Sequence, residues 1–409
     1  MSISSSKPSA LVASHVCPVP VGAGNELRIR QLLTWLHARG FAVNLLLTFA
    51  PTPEQRAALS AFCAGVYGPD DRVDVPRGWR RRVRMERLAM GGRFRRACEA
   101  VRAPRRVAQI PALYGHCTEA MRRQASRLAA VQPPDIAVAV YYFMTPIFQH
   151  CGWRPLRIVD TLDAYSLRGA KLAGTGIVEG SWITAGQERE ALLRGDLIMA
   201  IQPEEAAYFR RLAPERPTIT VGVDAPLPAS WSAGGQADGA VLAVGSDNEG
   251  NCMDVERFAR EAWPRVRAAV RGARLRIVGR VGAAVRVNDP LVEIAGWVPS
   301  LDEEYRRARV VVNPVSVGTG LKLKTIEALC HGKALVGTPS AFEGMDADGT
   351  PPWRVAGDME GMVLETIALL TDAESRERLG RAARAYAEAR YGADIVYREL
   401  AQALEASEP

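Results

Sequence analysis

Long apolar runs are missing from this chain of 409 residues. A transmembrane helix needs roughly 18 to 20 consecutive apolar residues, and no such stretch occurs, so we expect no membrane span. The N-terminus, MSISSSKPSALVASHVCPVP, also lacks a charged segment followed by an apolar one. A secretory signal is therefore not expected, and the sequence favours a cytoplasmic protein.

Clustered metal ligands and paired cysteines are scarce as well. The seven cysteines form no CxxC pair and no cluster with histidine. This spacing argues against a zinc site and a disulfide framework, and isolated cysteines fit a reducing compartment. The acidic triplet Asp346–Asp348 resembles a metal-binding DxD motif but lacks a suitable strand–helix context. We expect neither a metal nor a cofactor.

The length predicts two domains, because 409 residues exceed what one hydrophobic core usually holds. A hydrophobic content of 48% with 24% charged residues is typical of a globular protein. Residues 224–239, DAPLPASWSAGGQADG, are rich in proline, glycine, serine and alanine and lack periodicity, which predicts a linker. The predicted parts are therefore an N-terminal domain over 1–223, a C-terminal domain over 240–390, and a final helix over 391–409.

Strand and helix patterns alternate on both sides of this linker. The buried strand ALVASHVCP is followed by the helix NELRIRQLLTWLHARG, with apolar residues at helical spacing, and then by the strand FAVNLLLTF. The rhythm restarts at AVLAVGS. A βαβ order predicts parallel sheets, so we expect an α/β protein with two Rossmann-like domains. Their strand ends would face a central cleft.

Positive charge is concentrated in one segment. The net charge is +7, and Arg77–Arg106 holds twelve arginines against two glutamates. Such a patch attracts anions, and we expect an anionic membrane surface rather than nucleic acid as its partner. A solvated pair of arginine-rich helices would explain the same pattern.

The stretch NPVSVGTGLKLKTIEALCHGKALVG, Asn313–Gly337, carries the most chemistry. An apolar helix begins after Gly-Thr-Gly, and helix tips with free N–H groups bind anions. Lys324 in the first turn would add a positive charge, and Glu327 one turn later would accept hydrogen bonds from vicinal hydroxyls. The pattern favours a nucleoside diphosphate, with Lys322 nearer the loop. An ordinary surface Lys–Glu pair is the alternative.

Here the sequence resembles the family-four glycosyltransferases with the GT-B fold. A bacterial subgroup has the pattern P-x-x-x-G-x-G-[IL]-x-x-K-x-x-E-A, which matches PVSVGTGLKLKTIEA here. The resemblance continues through VLAVGSDNEGN, ARLRIVGR and VEIAGWVPSLDEEYRRARVVVNPV, and ends in GKALVGTPSAFEGMD. It is looser in the N-terminal half, at VGAGNELRIRQLLTWLHARGFAV and VDTLDAYSLR.

The resemblance implies a sugar-nucleotide donor held mainly by the C-terminal domain. Glu327 would bind the ribose, and Lys324 and Arg280 would neutralise the diphosphate. Residues that would line the donor site are Gly245, Ser246, Asn251, Val298, Gly318, Thr319, Gly320 and Lys322. Many members of the family carry a glutamate where this chain has Thr319, which leaves the donor sugar open. We expect a UDP-linked or GDP-linked donor.

The N-terminal half supplies the acceptor-side candidates. Gly24 ends the loop VGAG and would let the backbone approach the donor, although a simple turn before a helix is the alternative. His15 precedes this glycine loop, and Asp160 and Asp163 lie at the end of a later strand, where α/β clefts form. A buried structural histidine and a helix cap would explain His15 and Asp163 equally well.

Three functions remain open at this point. The first is a metal-independent, retaining glycosyltransferase in bacterial glycan or glycoconjugate synthesis, with an acceptor hydroxyl as nucleophile. The second is a degenerate glycosyltransferase-like protein used for binding or assembly, which the substitution at Thr319 motivates. The third is a nicotinamide-dependent oxidoreductase, disfavoured because Leu27 replaces the third glycine of the fingerprint. The resembling fold also implies that the last helix packs back on the N-terminal domain.

Overall fold

The computed structural model describes residues 7–74, 114–152, 155–172, 183–236, 239–317, 321–347 and 349–407. The chain divides into two compact units. Unit 1 comprises 1–166, 181–200 and 206–219, and unit 2 comprises 167–180, 201–205 and 220–409. The arginine-rich segment Arg77–Arg106 lies outside the described residues. No helix within the described ranges is long and apolar enough to cross a membrane.

Unit 1 is built on a seven-stranded sheet with the order β3-β2-β1-β4-β5-β6-β7. Its strands are β1 (Ser9–Ser14), β2 (Ala42–Leu47), β3 (Gly65–Tyr67), β4 (Ile136–Val140), β5 (Leu156–Asp160), β6 (Leu197–Ala200) and β7 (Thr218–Thr220). Helices in this part of the chain are α1 (Gly24–Ala38), α2 (Pro53–Leu59), α3 (Glu119–Val131), α4 (Tyr165–Leu172), α5 (Ala185–Leu192) and α6 (Pro203–Leu212), with a 3-10 segment over Tyr142–His150. Strand β1 pairs in parallel with β2 and β4. The predicted parallel sheet is therefore confirmed.

Unit 2 contains a six-stranded sheet with the order β10-β9-β8-β11-β12-β13. Its strands are β8 (Val241–Val244), β9 (Leu275–Val278), β10 (Val292–Gly296), β11 (Val310–Asn313), β12 (Leu335–Gly337) and β13 (Arg354–Val355). Its helices are α7 (Glu249–Arg257), α8 (Trp263–Ala269), α9 (Asp302–Arg307), α10 (Leu323–Cys330), α11 (Met359–Thr371), α12 (Ala373–Glu388), α13 (Ala393–Val396) and α14 (Arg398–Glu405). Short 3-10 segments cover Arg280–Ala283 and Pro339–Phe342, and a π-helical segment covers Phe258–Ala262.

Both faces of this second sheet are buried at its central strands, whereas the edge strands β10 and β13 carry exposed residues. Along β8, Val241 and Ala243 belong to one apolar cluster, whereas Leu242 and Val244 belong to another. Successive strand residues point to opposite faces, so a strand covered on both sides needs a continuous apolar run. This requirement explains why the sequence VLAV contains no polar residue.

Helix α10 follows the apolar pattern that predicted it. Ile326, Leu329 and Cys330 are fully buried, and His331 caps the C-terminus. Gly332 follows this cap residue with a φ of +63°, and a Cβ there would lie 2.4 Å from the Trp231 ring. Glycine is required at this position by both the backbone conformation and the space available.

The predicted linker is fastened to unit 2 along its length. Buried arginine and lysine side chains donate to its carbonyls: Arg384 to Pro228, Lys333 to Ser232 at 2.6 Å, and Arg376 to Gly234 at 3.1 Å. Composition alone indicated a flexible connection, but these contacts tie 228–234 to the second core. The exact domain boundaries and the packing of the final helix on the N-terminal domain stay predictions.

Substitution of Lys333 measures how much these contacts with 228–234 contribute to the stability of the fold. Its fully buried ammonium donates to the carbonyls of Ser232, Arg306 and Ala308. The variant Lys333→Met would leave three carbonyls without that donor, and we expect the free energy of unfolding to fall by about 2–3 kcal/mol. Urea denaturation measures this change. Arg257→Ala removes an exposed pair with Glu261 and should change it by less than about 0.5 kcal/mol. Equal midpoints for Lys333→Met and the wild type would contradict the assignment.

Candidate functional site

Lys324 connects three loops at the carboxyl edge of the second sheet. Its ammonium donates to Asn251 Oδ1 at 2.7 Å, in the first turn of α7. The Asn251 amide in turn donates to Ser246 Oγ at 3.0 Å, in the loop after β8. Asp254, one turn further along α7, accepts from the Ser316 backbone N–H and hydroxyl at 2.7 Å each. The structure therefore brings together the predicted residues Lys324, Asn251 and Ser246.

Burial makes the charge on Lys324 costly. Desolvation lowers the pKa of this amine to about 8, and the neighbouring charge of Lys322 lowers it further, whereas Asp254 acts in the opposite direction. Within the described residues the Lys324 ammonium donates to one amide oxygen, so it keeps donor capacity for an anion. The arrangement therefore suits a phosphate group near the first turn of α10.

Glu327 lies one turn beyond Lys324 on the same helix. Burial raises the pKa of its carboxyl group to about 7, a hydrogen bond from Tyr305 lowers it, and Asp302 raises it. The Tyr305 hydroxyl lies 3.0 Å from Glu327 Oε2. Sequence reasoning missed Tyr305, because only the folded chain brings α9 against α10.

Arg280 approaches the same group of loops from β9. It begins the 3-10 segment after that strand, with Nε 3.6 Å from Asp247 Oδ1, and its side chain is about half exposed. Gly245 lies where the two strands come close: a Cβ on Gly279 would be 2.2 Å from the Gly245 carbonyl oxygen. The glycines at these strand ends therefore permit a close approach of the two loops.

The remaining donor-side predictions have mixed outcomes. Lys322 was predicted nearer the loop than Lys324; it is the N-terminal cap residue of α10, and its largely buried ammonium lies 3.7 Å from Glu343. Val298 packs at the margin of an apolar cluster, next to the exposed Trp297. Gly318, Thr319 and Gly320 lie outside the described residues, so their contribution of amides stays a prediction.

His15 sits in an aromatic cluster at the carboxyl edge of the first sheet. Its ring centroid is 4.5 Å from that of His116, 5.1 Å from Tyr141 and 5.7 Å from Phe143. Burial, followed by the proximity of His116, lowers the pKa of His15 to about 4. The imidazole is therefore neutral at physiological pH, and the rings of His116, Tyr141 and Phe143 lie beside it.

The backbone is strained at this edge. Tyr141, directly after β4, has φ +61° and ψ +150°, and Leu162, after β5, has φ +56°. Side chains other than glycine rarely adopt these angles, and such strain is concentrated at functional sites. The loops after β4 and β5 are therefore candidates for ligand contact.

Asp160 and Gly24 have structural partners of their own. Asp160 is fully buried, and Arg28 Nη2 lies 3.3 Å from its Oδ1; burial raises the pKa of Asp160 and Arg28 lowers it. Gly24 begins α1, and the preceding amides of Gly22 and Ala23 donate to Glu26 Oε2 at 2.5 and 2.8 Å. Two amides of this loop therefore donate to a side chain in the first turn of the helix that follows it. Asp163 is also buried. Their roles toward an acceptor stay predictions.

The raised pKa of Glu327 makes the stability of the unliganded protein depend on pH. The folded state binds this proton more tightly than the unfolded state, so the stabilisation is present below pH 4.5 and is lost as the pH rises through 7. Glu327→Gln removes this titration. Between pH 5 and pH 8, we expect the free energy of unfolding of the variant to rise relative to the wild type by about 2 kcal/mol.

Denaturation curves at both pH values measure that difference. The control is Glu374→Gln, since the Glu374 side chain is 88% exposed, and its difference from the wild type should be the same at both pH values. A Glu327→Gln difference that does not change with pH would contradict the burial argument.

Comparisons with known proteins agree with this geometry. Residues 239–372 match the family model described as glycosyl transferases group 1. No curated protein has a significantly similar sequence. Within the described residues, no group of three or more His, Cys, Asp or Glu could hold a metal ion.

The solved structures resemble the chain over nearly its whole length. Sucrose-phosphate synthase from Thermosynechococcus elongatus has a TM-score of 0.66 and 14% identity, covering 98% of this chain and 99% of that one. HepE of Anabaena, in complex with UDP and glucose, has a TM-score of 0.61 and 11% identity, covering 97% and 99%. TarM of S. aureus has a TM-score of 0.66 and 7% identity, covering 98% and 99%. The chain therefore has the two-sheet α/β fold of GT-B glycosyltransferases, and residues 239–372 are similar to the glycosyl transferases group 1 domain.

Proposed function

We propose that this protein is a retaining, metal-independent glycosyltransferase that moves a sugar from a nucleoside diphosphate to an acceptor hydroxyl. The observation that carries the proposal is the pair Lys324 and Glu327, one turn apart on α10 in the group 1 domain. Burial acts on both side chains in the direction that disfavours charge. A ligand with an anion at one end and hydroxyls beside it would offset both costs.

The donor would lie along the first turns of α10. Its diphosphate would meet the Lys324 ammonium, and each charge-assisted contact contributes about 1.5–3 kcal/mol. Glu327 would accept hydrogen bonds from the vicinal hydroxyls of the ribose. Arg280 lies after β9 and would approach the diphosphate from the neighbouring loop. The structure of HepE with UDP and glucose supports a UDP-linked donor, with GDP as the other candidate.

Transfer would depend on electrostatics rather than on a covalent intermediate. As the bond between the sugar and the diphosphate breaks, negative charge accumulates on the leaving phosphate. Cationic groups fixed in advance at that position stabilise the transition state without reorganisation. This division of labour requires no metal ion. Retention of configuration follows from the family resemblance.

The acceptor would bind at the carboxyl edge of the first sheet. His15 lies there among rings, Asp163 follows β5, and Asp160 forms the buried pair with Arg28 beneath. We propose His15 and Asp163 as acceptor-side residues, with Asp160 and Gly24 shaping the edge. A role in bacterial glycan or glycoconjugate synthesis fits TarM, whose variant was solved with UDP and α-GlcNAc-glycerol.

A binding protein that has lost catalysis is the second candidate. Thr319 replaces a glutamate common in the resembling family, which motivates this alternative. Both candidates would bind a nucleotide sugar, but only an enzyme would release the nucleoside diphosphate. Formation of that product is therefore the measurement that separates them.

The test begins with thermal-shift screening against UDP-, GDP-, ADP- and dTDP-linked sugars, since a ligand of the folded state raises its stability by mass action. With the donor that raises the melting temperature most, Lys324→Ala and Glu327→Ala should each lower kcat/KM by about 100-fold, as expected when about 2.7 kcal/mol of transition-state stabilisation is lost.

Matched controls are Lys7→Ala and Glu374→Ala, because both side chains are exposed. They should keep kcat/KM within about twofold. If both α10 variants also retained near wild-type values, the assignment of the donor site would be wrong. If no donor released its nucleoside diphosphate, the binding-protein candidate would replace the enzyme.

We also propose that Arg77–Arg106 docks on an anionic membrane surface, where lipid-linked acceptors reside. The protein should cosediment with vesicles containing about 30% phosphatidylglycerol at 50 mM salt and be released by about 500 mM, because salt screens the attraction. Reversing Arg80, Arg81 and Arg82 to glutamate should weaken this binding. Failure to cosediment at low salt, or equal binding to phosphatidylcholine vesicles, would overturn the proposal.

A further inference from the structure

Tyr305 is a fully buried residue of α9 whose hydroxyl faces the first turn of α10. It lies 3.0 Å from Glu327 Oε2 and 3.3 Å from the Lys324 carbonyl oxygen. A buried tyrosine hydroxyl needs a partner, and the carboxylate is the stronger acceptor. The bond therefore fixes the position of the Glu327 side chain relative to the helix.

His331 holds the tyrosine ring from behind. The two rings are stacked with centroids 4.7 Å apart and planes at 27°. Nδ1 of His331 lies 2.8 Å from the Glu327 carbonyl oxygen, and Nε2 lies 3.1 Å from Asp302 Oδ1. With an oxygen of Glu327 at one ring nitrogen and an oxygen of Asp302 at the other, the imidazole is held between α9 and α10 and clamps the Tyr305 ring.

We infer that Tyr305, clamped by His331, is a positioning residue that holds the Glu327 carboxylate oriented and ionised for the hydroxyls of the donor ribose. This inference rests on the proposed function. It adds to the same site a residue of α9, which lies outside the motif PVSVGTGLKLKTIEA. A carboxylate oxygen accepts two hydrogen bonds, so Oε2 can retain Tyr305 while a ligand hydroxyl donates to the group.

The electrostatic balance at Glu327 explains why this bond matters. From α9, Asp302 raises the pKa of the carboxyl group and the Tyr305 hydrogen bond lowers it. On α10 itself, Cys330 interacts with Glu327, and Lys324 and His331 lie within one turn of it; from α12, Arg384 acts on Cys330. Burial raises the pKa to about 7, so a small change in either α9 residue alters the ionised fraction at neutral pH.

The test measures binding of a nucleoside diphosphate by calorimetry from pH 5.5 to 8.5. The probe is whichever of UDP, GDP and ADP raises the melting temperature of the wild type most. Tyr305→Phe removes the hydroxyl, so the pH below which affinity is lost should rise by about one unit, a tenfold change in the protonation equilibrium. Affinity should fall several-fold at pH 6.5 and much less at pH 8.5, with a raised KM and little change in kcat.

Asp302→Asn should lower, rather than raise, the pH below which affinity for the nucleoside diphosphate is lost. The Asp302 side chain is 78% exposed, so the downward shift should be a few tenths of a pH unit and should disappear at high salt. Tyr386→Phe is the matched control: the buried Tyr386 hydroxyl donates to the Asp346 carbonyl, away from Glu327. Its pH profile should match that of the wild type. A general loss of packing would instead change the profiles of both tyrosine variants.

Glu327→Gln distinguishes a failure of the proposed ribose contact from a failure of the role of Tyr305. If it binds the probe like the wild type, the ribose contact of the proposed function is wrong and this inference falls with it. If it loses binding while Tyr305→Phe keeps the wild-type pH profile, only the role of Tyr305 is overturned. If Tyr305→Phe fails to fold, His331→Leu decides: loss of the stacked ring should loosen Tyr305 and raise the pH below which affinity is lost, and an unchanged pH profile would overturn the inference.

Discussion

Desolvation of two oppositely charged side chains on one short helix is the constraint on which the site in unit 2 depends. Lys324 and Glu327 project from α10 at the carboxyl edge of a sheet whose central strands are buried on both faces. Water is displaced there by the neighbouring loops, so each group loses hydration that the protein replaces only in part. Asn251, which accepts from Lys324, and Tyr305, which donates to Glu327, replace part of that hydration.

Burial alone does not distinguish a functional cation from a structural one. Desolvation lowers the pKa of Lys333 to about 8, as it does for Lys324. The difference lies in the partners: three backbone carbonyls surround the Lys333 ammonium, whereas Lys324 donates to one side-chain amide. A cation surrounded by carbonyls stabilises the fold, whereas a cation whose partner within the described residues is a single amide oxygen retains capacity for a ligand.

In unit 1 the carboxyl edge of the sheet carries different chemistry from the corresponding edge in unit 2. Three adjacent strands, β4, β1 and β5, end in segments that carry strained backbone, stacked rings and a buried ion pair. Neutral His15 and the rings around it form an uncharged surface, in contrast to the charged helix tip of unit 2. The two units therefore place different chemistry at equivalent strand ends, with neutral rings in unit 1 and ionisable side chains in unit 2.

The sequence by itself determined the α/β class, the parallel sheets, the α10 helix and the candidate pair Lys324 and Glu327. These features depend on local periodicity and on spacing within one helix, which a linear pattern records. It also indicated Asn251 and Ser246 through resemblance. The short strands β3 and β13 were not predicted, because two or three residues carry too little pattern to separate them from loops.

Only the tertiary structure decided which groups surround that pair. Tyr305 reaches Glu327 across 22 residues, and Arg28 reaches Asp160 across 132. Such contacts depend on how helices and strands pack, and a side chain's own neighbours in sequence do not specify them. The attachment of 228–234 to the second core was hidden for the same reason, because its composition resembles that of a free linker while its carbonyl partners lie up to 156 residues away.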